Sequence, residues 1–204
     1  MKNLILFVTI LSILSCNSQG KRELVGETKY QQKENSRFKD ASTSPLTKKD
    51  LRNFKGLDFF PIDSNYIIYA DFERIEDAPI FEMVTTTDRK PLYKEYGILT
   101  FQLNGKENTL TIYQSQDDIR DEKYKDYLFL PFTDETSGVE SYGGGRYMDV
   151  MISNQQENGT FLLNFNNTYN PYCAYNKKYS CPLTPRKNHL TIPIKAGVKD
   201  FKKQ

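Results

Sequence analysis

The residue types best suited to chemistry cluster between Phe132 and Cys181. Phe132-Thr133-Asp134-Glu135-Thr136-Ser137-Gly138 is followed by Ser141-Tyr142-Gly143-Gly144-Gly145-Arg146-Tyr147. Exposed glycine N–H groups beside an arginine can cradle an anion. Asp134 or Glu135 could then act as general acid or base, with Arg146 stabilising a negative transition state, the pattern of a hydrolase-like enzyme on an anionic substrate. A phosphate loop, however, leads into a helix N-terminus, and the residues after Gly145 alternate as a strand. The glycines therefore read better as a hairpin or bulge that needs positive φ. On that strand Arg146, Met148, Val150 and Ile152 share one face, and Tyr147, Asp149 and Met151 the other. Arg146 thus ends the apolar face, where a guanidinium is costly without a carboxylate. Asp134 or Glu135 is its expected partner, because Asp149 points the other way.

The second cluster runs from Asn164-Phe165-Asn166 through Tyr169-Asn170-Pro171-Tyr172-Cys173-Ala174-Tyr175 to Cys181-Pro182. Asn164 and Asn166 fall on one face and can orient a polar ligand or satisfy loop backbone. Tyr169, Tyr172, Tyr175 and Tyr179 can line a groove or form an amphipathic loop packed on the domain surface. Together the clusters nominate Asp134, Tyr142, Arg146, Asn166, Asn170 and Tyr175 as candidate ligand-binding residues. Cys173 and Cys181 are expected to form a structural disulfide, whose nine-residue loop would contribute about 2.6 kcal/mol in the chain-entropy model. Two buried thiols, or a redox or metal role, are the alternatives. His189 reads as a surface residue, although Cys173, Cys181 and His189 could in principle supply three zinc ligands. No Gly-x-Ser-x-Gly nucleophile elbow is present. No metal site or cofactor is expected.

These residues need a scaffold, and beyond Gly56 the sequence alternates with period two, rich in Ile, Val, Thr, Tyr and Phe. Expected strands are Tyr66 to Phe72, Ile80 to Thr87, Tyr96 to Leu103, Thr109 to Ser115, Tyr127 to Phe132, Arg146 to Ile152, Thr160 to Phe165 and Leu190 to Ile194. Asn104-Gly105 and Asn158-Gly159 supply hairpin turns. Pro193 removes a donor and places the last strand at an edge. With no long amphipathic helix in view, these elements predict a mostly β, single antiparallel β-barrel or β-sandwich domain. A short helix is expected after Thr47, whose spacing to Asp50 fits an N-cap, with Leu51 and Phe54 following.

The 204 residues include 28 basic and 26 acidic side chains, 14 tyrosines, 13 phenylalanines, three cysteines and no tryptophan, with a mean hydropathy of −0.65. This composition excludes a multi-pass membrane protein, a collagenous repeat and a fully disordered chain. The balanced charge leaves no global field for nucleic acid, which is not an expected partner. Met1-Lys2-Asn3 precedes an apolar run from Leu4 to Leu14, too short to span a bilayer and suited to a signal peptide over residues 1–15. Ile13-Leu14-Ser15-Cys16 resembles the bacterial lipobox. That resemblance implies cleavage before Cys16, acylation of its thiol and amine with chains such as palmitate, and membrane anchoring beyond easy dissociation. Asn17 in place of Asp favours the outer membrane of a Gram-negative envelope. From Asn17 to about Pro45 scarcely any apolar residue appears, which predicts a flexible tether, residues 16–45 including Cys16, ahead of a domain over 46–204.

Several motifs in order resemble the domain-of-unknown-function family 1684: the stretches from Phe132 to Tyr147 and from Asn164 to Tyr175, then Cys181-Pro182-Leu183, Asn188-His189-Leu190 and Lys195-Ala196-Gly197. Gly56-Leu57-Asp58-Phe59-Phe60-Pro61 and Thr85-Thr86-Thr87 resemble its lipoprotein branch, so the likeness spans Leu51 to Phe201. The family's usual Asp-Phe-Asn and Asn-Arg-Leu read Asn164-Phe165-Asn166 and Asn188-His189-Leu190 here. The resemblance implies no activity. The sequence therefore predicts a membrane-anchored envelope lipoprotein whose β-domain binds a small ligand or another envelope protein, with the hydrolase-like enzyme as the alternative.

Overall fold

The computed structural model describes residues 25–202. The expected signal peptide, the expected lipidation site Cys16 and the first part of the expected tether lie outside them. Strands β1 (Ile67–Arg74), β2 (Phe81–Glu82), β3 (Leu92–Leu103), β4 (Lys106–Ser115), β5 (Tyr127–Asp134), β6 (Arg146–Met151) and β7 (Phe161–Asn164) form a sheet in the order β6-β5-β4-β3-β1-β7, with β2 beside β3. All these pairings are antiparallel. The sheet curls into a nearly closed barrel around one apolar interior, as the alternation requires. Ile68, Leu99, Phe101, Leu110, Ile112, Leu130, Phe132, Met148, Val150 and Phe161 all point inward. The β3–β4 hairpin pairs Leu103 with Lys106, with Asn104 (φ 53°) and Gly105 (φ 72°) both left-handed, the geometry an Asn-Gly turn supplies.

Between β4 and β5 the ladder narrows to Tyr113 opposite Phe129. Asn188 fills the gap: its amide accepts from Thr111 N–H (2.9 Å) and donates to the Thr111 and Pro131 carbonyls (2.8 and 2.7 Å). Pro131 has no N–H of its own to pair, so a side-chain amide completes what the ladder leaves open.

The strand expected from Leu190 to Ile194 is corrected. Only β8 (His189–Leu190) pairs, and it does so parallel to Thr133–Asp134 of β5. Residues 191–198 continue as an irregular strap across one end of the barrel, with Ile192, Ile194, Ala196 and Val198 buried and Thr191, Pro193 and Lys195 exposed. The alternation was read correctly, but burial against the barrel end, not a ladder, produces it.

A second correction concerns the tether. Over its described part the chain is ordered against the domain: Lys29–Lys39 forms helix α1, capped by Thr28, whose hydroxyl accepts from Gln31 N–H. Its buried face is Gln31, Asn35 and Phe38. Asn35 donates to the Val25 carbonyl and accepts from Leu57 N–H, both at 2.7 Å. Phe38 meets Tyr175 edge-on, with ring centroids 4.7 Å apart, and stacks on Phe54. Because two of the three inward residues are amides, the helix buries a face that carries little hydrophobic signal. Helix α2 (Lys48–Asn53) begins at the expected Thr47 cap. Among the described residues, no helix is long and apolar enough to cross a membrane.

Candidate functional site

Arg146 and Asp134 are brought together, but inside the protein. Both side chains have no solvent exposure, and Arg146 Nη2 donates to Asp134 Oδ2 at 2.8 Å. The same guanidinium donates to the Ile194 carbonyl (2.7 Å), to the Ala196 carbonyl and to the Val198 carbonyl (3.5 Å). Asp134 Oδ1 accepts from Thr136 N–H (2.8 Å) and Ile194 N–H (3.1 Å). The ion pair thus gives the strap the partners that a missing strand neighbour would otherwise supply. Burial pulls the guanidinium pKa down, and the Asp134 carboxylate opposes that pull. Gly145 (φ 90°) permits this entry into β6, since a Cβ there would lie 2.5 Å from the Phe132 carbonyl oxygen. The glycine run is therefore a turn beside a strand. Neither Asp134 nor Arg146 is open to substrate, and exposed Glu135 lies instead 3.5 Å from His189 at the surface.

Three further candidates hold the protein to itself. Asn166 accepts from Asp63 N–H and donates to the Asp63 carbonyl, pinning the segment before β1. Asn170 donates to the Lys199 carbonyl at 2.9 Å. Tyr175 is 1% exposed, wedged between Phe38 and Phe201. Tyr142 is half-buried, its hydroxyl 4.0 Å from Cys173 Sγ, and burial together with that sulfur pushes its phenol up to about 12.

The expected disulfide is not formed: Cys173 and Cys181 are free thiols in contact. Cys173 N–H donates to Cys181 Sγ at 3.1 Å, so the two side chains lie side by side without a covalent bond. Among the described residues, no three His, Cys, Asp or Glu side chains converge as a metal site.

The cavity with most chemistry to offer lies on the opposite face of β5 and β6. Tyr127 and Phe129 of β5, with Tyr147 and Asp149 of β6, form its floor. Helix α1 supplies one wall through Tyr30, Lys33, Glu34 and Arg37, spaced to share a helical face. The segment from Tyr169 to Pro182, which includes helix α3 (Tyr172–Tyr175), supplies the other through Tyr169, Tyr172, Tyr179 and Cys181. Tyr93 and Tyr124 close one end, and the cleft measures about 570 Å³.

Hydrogen bonds fix several of these rings. Tyr127 donates to Asp149 Oδ1 at 2.9 Å, and Tyr169 donates to the same oxygen. Both phenols are held well above their ordinary pKa, first by burial and then by neighbouring charge including Asp149. Burial likewise raises Tyr147, and Tyr93 is pushed up to about 12. The phenols are therefore neutral near neutral pH: hydroxyl donors and acceptors, not bases. Arg37 donates to Glu34 and to the Tyr172 hydroxyl, tying α1 to the far wall. Of the sequence candidates, Tyr169, Tyr172 and Tyr179 do line this cleft and Tyr175 does not. Tyr30, Arg37, Tyr93, Tyr127, Phe129 and Asp149 were missed. Strand parity placed Tyr147 and Asp149 on the non-core face, the one available signal.

Fold and cavity define a small antiparallel β-barrel domain with an external tyrosine-lined cleft walled on one side by helix α1. A family model described as a protein of unknown function, DUF1684, matches residues 52–199, and the chain belongs to that family. The match agrees within two residues at each end with the span of the motifs, Leu51 to Phe201. The solution NMR structure of an uncharacterized protein from Haloarcula marismortui is similar, with 32% identity, a TM-score of 0.65, and coverage of 83% of this chain and 89% of that one. No curated protein matches.

Proposed function

We propose that this protein is a lipid-anchored envelope lipoprotein whose β-domain binds a small, ring-bearing polar ligand in the tyrosine cleft. The carrying observation is the cleft itself: eight tyrosines from both walls, the floor and one end surround about 570 Å³ that no side chain fills. Small-molecule sites have this size and this character, aromatic walls with a few placed polar groups. Neutral phenol hydroxyls and the Asp149 carboxylate would orient hydroxyl or amine groups, while ring faces stack on the ligand's apolar surface. The hydrolase-like alternative is not favoured, because its cation, Arg146, and one candidate acid, Asp134, are sealed in the barrel, while the other, Glu135, is exposed beside His189 and away from Arg146.

Anchoring rests on the leader and lipobox ending at Cys16, with Asn17 directing the protein to the outer membrane. Membrane fractionation after labelling with palmitate tests it: wild type sediments with acylated membranes and Cys16→Ser does not. Normal membrane retention of that variant would remove the anchor. For the cleft, saturation-transfer NMR with a panel of benzoates, indoles and monosaccharides should detect a binder, and Tyr127→Ala and Tyr169→Ala should each weaken it about tenfold, roughly 1.4 kcal/mol. A folded wild-type protein that takes no member of the panel, or variants that bind as tightly as wild type, would contradict this reading.

A further inference from the structure

The thiol pair is used neither by the fold as a covalent staple nor by the cleft as a polar contact, and it sits where the two meet. Cys181 is 6% exposed and lies on the cleft wall, whereas Cys173 is only half-buried at the start of α3. The pair is asymmetric in its surroundings as well. Cys173 donates its N–H to Cys181 Sγ at 3.1 Å and its own sulfur lies 4.0 Å from the Tyr142 hydroxyl; the Cys181 side chain first, then Tyr142 and Thr86, favour its thiolate, and its pKa falls to about 7. Cys181 is held above its ordinary value by its neighbour Cys173 and by burial. The accessible sulfur is thus the one that ionises, and the sheltered one keeps its proton.

We propose that Cys173 and Cys181 are a peroxide-oxidisable dithiol, in which Cys173 is the attacking sulfur and Cys181 resolves it into a reversible disulfide. The oxidant is a hydroperoxide. The Cys173 thiolate attacks the terminal oxygen, the O–O bond breaks, the sulfur gains OH, and the remaining alkoxide or hydroxide leaves as alcohol or water after taking a proton. The Cys181 thiol then loses its proton and attacks the Cys173 sulfenic sulfur, an S–S bond forms, and the displaced hydroxide leaves as water. Two thiols are oxidised and one peroxide is reduced. Because Cys181 Sγ already sits 3.1 Å from Cys173 N, the second step needs only a local movement of the two side chains. An additional consequence, which rests on the cleft reading, is that closure would fix the residue 174–180 loop bearing Tyr179 and Ser180 and thereby alter the cleft wall.

The test uses the full chain carrying Cys16→Ser, purified reduced and treated with one equivalent of hydrogen peroxide. Intact mass should fall by two hydrogens, and dithiothreitol should restore it. Because Lys177 and Lys178 separate the cysteines, a non-reduced tryptic digest should yield two peptides joined by the bridge. Adding Cys181→Ser should stop the reaction at a Cys173 sulfenic acid that dimedone traps. Adding Cys173→Ser should slow peroxide consumption at least tenfold, circular dichroism verifying that both variants are folded. Persistence of both thiols in the folded parent chain, or equal rates for the two variants, would overturn the proposal. Ligand affinity compared between the reduced and bridged forms tests the consequence for the cleft separately, and equal affinities would overturn that clause alone.

Discussion

Arg146, paired with Asp134, closes one end of the barrel by holding the carbonyls of the strap that crosses it. Parity put it at the end of the apolar face and excluded Asp149 as its partner, and Asp134 does hold it. The carbonyls of Ile194, Ala196 and Val198 lie about fifty residues downstream, and nothing local announces that a guanidinium will substitute for a strand neighbour. Removing either member leaves a buried charge uncompensated, so Arg146→Ala and Asp134→Ala should each cost about 3–5 kcal/mol. Urea unfolding measures this, and a loss below about 1 kcal/mol would contradict the role. Cys173 gives a pH-dependent prediction. Its pKa lies below the ordinary thiol value of 9.0, at about 7, so its thiolate fraction and hence its iodoacetamide alkylation rate should be half-maximal near pH 7. The rate should fall as pH drops below that. Cys181→Ala removes the largest contribution and should move the midpoint toward 9. An unmoved midpoint would mean that the pair is not coupled.

Among the elements, β1, β3 and β7 were legible because buried and more exposed residues alternate along them, whereas β4 and β5 are buried on both faces and were legible from their apolar, aromatic and β-branched residues. The Thr47 cap and the Asn104-Gly105 turn were legible because their chemistry is local. Helix α1 was not, since its inward face is Gln31, Asn35 and Phe38 and its anchoring comes from amide hydrogen bonds to Val25 and Leu57. Polar composition was read as failure to pack, whereas satisfied amides pack well. Phe38→Ala removes the ring held between Tyr175 and Phe54 and should destabilise the protein by about 3 kcal/mol. Hydrogen exchange should show α1 opening ahead of the barrel. Unchanged protection in α1 would mean that the helix does not depend on this contact.

For the whole molecule, the two faces of β5 and β6 do different work. The inner face joins the barrel core, and the outer face floors a cleft whose walls come from residues before and after the barrel strands. The candidate residues that cluster in sequence between Asp134 and Tyr175 proved mostly structural, because a dense run of polar and glycine residues also serves tight turns and buried anchors. The cleft residues are dispersed from Tyr30 to Pro182, and only folding assembles them, so no spacing rule could reveal the set. This cleft is the proposed ligand site. Chemical-shift mapping of the uniformly labelled protein, titrated with the best binder from the panel, tests it most directly. The largest shifts should fall at residues 127–129, 147–149 and 169–172 and on the Tyr30–Arg37 face of α1. Shifts confined to the barrel ends or to the outer surface of β1 and β7 would contradict it.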